Sequence, residues 1–181
     1  MIKINKKIRK QLIYLIGSIM ILIFLAIFMR QVISIVFITI FILIGGLSKL
    51  YIRFTNIPLG FELITPLTIL FAYKTNPFFA IFAAIVMLFL ASIFMGKFDF
   101  PGMIMEIGIY FVISILAFIL NSISFTIIAV ILIILRNIII FPTATLFLGR
   151  NPAQIGFAVI VNTIVNIFLI LSIGNIIINI L

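Results

Sequence analysis

The sequence predicts an all-α protein: a polytopic transmembrane bundle of six or seven helices, forming one membrane domain over residues 11–181 behind a basic tail at residues 1–10. Three observations lead there. Of 181 residues, 66% are hydrophobic and 8% charged, with a mean hydropathy of +1.57, whereas a soluble domain is about half apolar and a quarter charged. So small a globule has too much surface to hide that much Ile, Leu and Phe from water. The uncharged runs repeatedly approach the roughly 20 residues that cross a hydrocarbon core of about 30 Å. Finally, the charge is basic and lies beside the apolar runs, five of the twelve Lys and Arg falling in the first ten residues. Basic residues so placed are topology signals.

The first span predicted is Gln11–Met29, too long and too poor in small residues at its end for a cleaved leader. Arg30 interrupts the apolar run, and Gln31–Ser48 is the second span, ending near Gly45-Gly46. Lys49–Leu59 reads as a polar linker. Gly60–Tyr73 is apolar but short, and it carries Glu62, Thr65, Pro66 and Thr68. Lys74-Thr75-Asn76-Pro77 is a turn signal. It opens the span Pro77–Gly96, where proline occupies the helical position that least needs its N–H. After a loop at residues 97–102 come Met103–Leu120, with Glu106 read as a first-turn residue near the headgroups, and Ile123–Phe141, interrupted at Arg136-Asn137. The breaker cluster Gly149–Pro152 precedes the last span, Gln154 to about Asn179.

If Gly60–Tyr73 crosses, nine basic residues (Lys3, Lys6, Lys7, Arg9, Lys10, Lys49, Arg53, Lys97 and Arg150) share the amino-terminal side. Arg30 and Lys74 alone lie opposite. This bias predicts a cell-membrane protein with a cytoplasmic N-terminus and seven crossings. A re-entrant segment would even the count to eight against three.

Composition removes most chemistry. With no Cys and no His, thiolate and imidazole metal sites and Cys/His or Ser/His nucleophile pairs are excluded. Glu62, Asp99 and Glu106 are the only carboxylates. No enzyme activity, metal or cofactor is expected. A phosphate-binding glycine loop is absent too, and the scattered cations do not form a nucleic-acid surface.

The informative residues are the polar ones inside apolar runs, because such groups are costly in a membrane. Arg136 either faces a cavity and pairs with Glu62, Glu106 or a solute, or snorkels to a headgroup. Glu62 either caps an irregular helix or contacts a solute, since broken helices mark binding sites in transporters. Asn162 and Asn166, four residues apart, share a helix face and serve as interhelical glue or line a ligand site. Ala80, Ala84 and Ala91 form a small-residue stripe that admits close approach of another helix, in this chain or in a partner.

From Ile57-Pro58-Leu59-Gly60-Phe61-Glu62-Leu63 through the Pro77 turn and the Ala-rich helix to Gly96, the chain resembles the substrate-binding (S) components of energy-coupling factor transporters. Pro142–Asn166 is similar to that family's closing hairpin. The resemblance implies a subunit that captures a vitamin-like small molecule in the bilayer, with Glu62, Thr65, Asn162 and Asn166 in the pocket. It also implies that Ala80, Ala84 and Ala91 meet a transmembrane coupling subunit, with ATPases on other chains. In size, hydropathy and helix count the chain is also similar to cell-shape proteins of the MreD type, which implies a non-transporting envelope scaffold.

Overall fold

The computed structural model describes residues 34–55 and 60–174, with isolated helical positions at 20, 176 and 178. The predicted first span Gln11–Met29 and the basic tail lie outside the described residues, as do Asn56–Leu59. The chain divides into two units, Met1–Ile38 and Thr39–Leu181. In the first, residues 34–38 are helical. The second carries the site.

The described residues form six helices and no strand. Five are long and apolar enough to cross a membrane: α1 (Ser34–Thr55), α3 (Pro77–Met95), α4 (Phe100–Ile119), α5 (Phe125–Phe147) and α6 (Pro152–Gly174). The sixth, α2 (Ile64–Lys74), has 11 residues, about 16 Å at 1.5 Å per residue, half the thickness of a hydrocarbon core.

Three helices begin in the same way, with an Asx cap beside a proline. Asn76 Oδ1 accepts from the Phe79 N–H at 2.7 Å, Asp99 Oδ1 from Gly102 at 3.1 Å, and Asn151 Oδ1 from Ala153 at 2.9 Å. Pro77, Pro101 and Pro152 occupy the first turns, where a missing N–H leaves no ladder bond unmade. Because Asp99 caps α4, that helix starts at Phe100 rather than the expected Met103. Glu106 is therefore not a first-turn residue but lies a further turn inside.

Arg136-Asn137 does not interrupt α5, which runs helical from Phe125 to Pro142. Both side chains are buried and satisfied within the bundle, so nothing forces the helix apart. Beyond Pro142 the helix continues as a π-helical turn, Thr143–Phe147. The missing proline N–H shifts the hydrogen-bond register.

In α1 a turn at residues 48–50 separates two helical pieces. Ser48 makes that break, its hydroxyl donating to Gly45 O at 2.6 Å and accepting from the Leu63 N–H at 3.1 Å. Just before it, Gly46 lets α1 sit so close to α3 that an added Cβ would be 2.6 Å from Leu90 Cβ.

The α2 helix is the core. Its nine residues from Ile64 to Ala72 are all buried, enclosed by α3, α4 and α5. A helix wrapped on every side has no polar face, so its apolar sequence shows no helical stripe. Tyr73 donates to Ile123 O at 3.1 Å, which places the C-terminus of α2 at the end of the bundle holding loop 120–124. Its N-terminus lies near mid-height beside Tyr110. Residues 60–63, which are not helical, precede it there. Gly60 has φ +83°, and a Cβ on it would overlap Ala158 O and lie 2.8 Å from Asn162 N.

Gly60→Ala should therefore destabilise the protein by about 3 kcal/mol or more, from backbone overlap added to a conformation hostile to Ala. Gly96→Ala, also at positive φ (+68°) but with open space around it, should cost only about 1 kcal/mol. Detergent-solubilised thermal or denaturant unfolding of both variants checks the contrast.

Candidate functional site

Three polar residues stand near the middle of their helices. Arg136 is the twelfth of the 23 residues of α5, Asn162 the eleventh of 23 in α6, and Tyr110 the eleventh of 20 in α4. The segment at residues 60–63 brings Glu62 to the same level. Arg136 Nη2 donates to Glu62 Oε2 at 2.9 Å and to Oε1 at 3.0 Å. Tyr110 Oη donates to Glu62 Oε1, and Thr65 Oγ1 stands 3.3 Å from the same oxygen. The Arg136 guanidinium lies 5.9 Å from the Tyr110 ring centroid. Arg136 thus pairs inside the bundle with Glu62, one of the two partners that its position suggests, and it does not snorkel.

The line of charge continues toward the end of the bundle bearing loops 96–99 and 148–151. Lys49 Nζ is 3.4 Å from Glu62 Oε2 and 2.9 Å from Glu106 Oε2. The series Arg136, Glu62, Lys49, Glu106 alternates in sign, so each charge taken from water meets an opposite one. At the same end Arg150 pairs with Asp99. This pair bridges the two loops.

A second network holds Asn162. Asn137 accepts from Arg136 Nη1 at 2.9 Å and donates to Asn162 Oδ1 at 3.1 Å and Thr163 Oγ1 at 2.7 Å. Asn162 Nδ2 then donates to Gly60 O at 3.0 Å, tying the non-helical segment to α6. The amide is interhelical glue and a cavity wall at once.

Glu62, Lys49, Glu106, Arg136 and Asn162 from these networks line a cavity of about 260 Å³. It is bounded by α1, the segment 60–62 and the facing halves of α3, α4, α5 and α6, and its lining runs from Arg136 and Asn162 to Lys97, Asp99 and Arg150. All three carboxylates of the chain line it, with four of the twelve basic residues.

Of the predicted site residues, Glu62, Arg136, Asn162 and Ala91 line this cavity. Thr65 supports it through Glu62 and Tyr110, hydrogen bonding within 3.1 Å of Tyr110 Oη. Asn166 does not reach it. Its amide is fully buried, and neither polar atom has a hydrogen-bond partner among the described residues. Ala80, Ala84 and Ala91 are buried to within 1% of full enclosure by this chain itself, so the small-residue stripe serves an internal neighbour rather than presenting its methyls to a partner subunit. Sequence reasoning passed over Lys49, Tyr110 and Asn137. The spacing Asp99, Glu106, Tyr110 puts all three on one face of α4 and was the available signal for one of them.

Arg136→Met takes from Glu62 its nearer cation and leaves it Lys49 at 3.4 Å, so the variant should lower stability by about 2–3 kcal/mol, less than the ~3–5 kcal/mol of a buried charge left with no partner. The double variant Glu62→Gln with Arg136→Met should recover most of the loss, as read by a double-mutant cycle of unfolding in detergent.

Compared with known proteins, the chain matches no family model, no curated protein and no solved structure.

Proposed function

We propose that the chain is a membrane-embedded, solute-binding subunit of a transporter, similar in kind to the S components of energy-coupling factor systems, with the charged cavity as its binding site. The observation that carries this reading is the cavity itself. Its 260 Å³ is far more than the ~10–15 Å³ that one water needs and just below the ~300–1,000 Å³ of drug-sized ligand sites, which suits a small solute. Polar groups at mid-height are expensive, and apolar packing would stabilise a purely structural bundle as well or better. Concentrating every carboxylate of the chain around one open space is what a solute site requires.

The segment at residues 60–63 adds support. Non-helical backbone at membrane depth is tolerated where it is enclosed by protein or lines a cavity, and broken helices characterise transporter sites. The scaffold alternative calls for a sealed interior and an outward small-residue face. The cavity and the burial of Ala84 and Ala91 weigh against it. Energy would come from a coupling subunit and ATPases on other chains. By the basic bias of Lys49, Arg53, Lys97 and Arg150 over Lys74, the cavity mouth faces the cytoplasm.

A chain without cysteine is ready for accessibility mapping. Ser92→Cys, on the cavity wall, should react with a membrane-impermeant thiol reagent in inverted vesicles and slow severalfold when solute is bound. Ile113→Cys, in the fully buried core, should not react. A Ser92→Cys protein inert from both faces of the membrane would sink the reading.

A further inference from the structure

We propose that the solute is a small zwitterion, carrying an ammonium and a separate anionic group; this rests on reading the cavity as a solute site. The observation behind it is the balance and order of charge on the wall. The chain as a whole has twelve cations against three carboxylates, yet the cavity has four against three. The inner four alternate in sign, from Arg136 through Glu62 and Lys49 to Glu106; the mouth holds the pair of Asp99 and Arg150 and the exposed Lys97.

A wall of this kind discriminates by charge. Inside the mouth the two cations Arg136 and Lys49 and the two carboxylates Glu62 and Glu106 cancel, so a simple anion or cation lodged there adds one unmatched charge at low dielectric, and an unpaired buried charge is costly. A neutral apolar solute leaves the wall's own charges stripped of water with nothing in return. A zwitterion adds no net charge and offers each wall group a partner of opposite sign.

The geometry also assigns the ends. Glu106 accepts from Lys49 through Oε2, and a carboxylate has about four acceptor directions, so it can take a second ammonium. Arg150 carries five donors, and its contact with Asp99 uses one nitrogen. Asp99 and Glu106 are seven residues apart on one face of α4, about 10 Å along the axis. The solute's ammonium therefore lies inward at Glu106 and its anionic group outward at Arg150, with several atoms between them.

The test uses the full chain in detergent, with thermal shift and native mass spectrometry. The probes are the ω-amino acids from glycine to 6-aminohexanoate, the singly charged hexylamine and hexanoate, and neutral riboflavin. A longer ω-amino acid should stabilise the protein, with at least tenfold higher apparent affinity than either singly charged analogue. Glu106→Gln should remove that advantage. If Glu106→Gln does not fold, Arg150→Gln, whose partner Asp99 is half exposed, should weaken the ω-amino acid about tenfold. Equal binding of hexylamine or hexanoate overturns the proposal, and so does binding of riboflavin while every ω-amino acid is inert; both leave the solute-binding reading standing. Failure of every probe overturns the zwitterion proposal, and together with an unreactive Ser92→Cys it overturns the solute-binding reading as well.

Discussion

The bundle is organised around one ion pair, Arg136 with Glu62, near the middle of the bundle's long helices. An arginine at the centre of a 23-residue apolar helix requires a counter-charge within reach, because hydrocarbon supplies none. That counter-charge comes from a stretch of backbone that is not helical. The stretch is possible because Gly60, at positive φ, lies directly against the backbone of α6, and because Asn162 satisfies its carbonyl. The crossing that begins with this stretch then has only half a helix left to make. Hence α2 is short, and hence it can be enclosed on every side by longer neighbours.

The same arrangement divides the molecule into two unlike halves. From mid-height toward loops 96–99 and 148–151, the interior is lined by charges and amides. Toward loop 120–124 it is filled by Ile69, Ile113, Ala129 and Ile133, all fully buried. A second cavity in that half, about 190 Å³, is walled by apolar side chains such as Leu67, Leu70, Phe125 and Ile173. A charged group has partners on one side of the ion-pair level and none on the other. The breaks in α1 at residues 48–50 and in α5 at Thr143–Phe147 are places where backbone bonds depart from the regular ladder.

The long helices were legible from hydropathy because a bilayer imposes a length, and their starts from Asx–Pro pairs because capping is local chemistry. Errors came where a distant partner decides. The neighbouring Pro101 and Gly102 point Glu106 to the headgroups, whereas the Asp99 cap starts the helix earlier and sets Glu106 a turn further in, against Lys49. Arg136-Asn137 read as an interruption since two polar residues in a row ordinarily end an apolar run. Their satisfaction by Glu62, Asn162 and Thr163, from 25 to 74 residues away, is invisible to any local window. The alanine stripe was readable as a close-packing face, but its neighbour was not.

By itself, the sequence determined the environment and the inventory: a helical chain for hydrocarbon, no thiol or imidazole chemistry, and a handful of polar residues that had to be accounted for. Those follow from composition and from periodicities that span a few turns. Only the tertiary structure decided that Glu62, Arg136, Asn162, Lys49 and Glu106 converge around one cavity while Asn166 stays outside it. The physical reason is that a buried charge is tolerated only opposite another charge, and which charges face each other depends on how helices far apart in sequence are brought side by side.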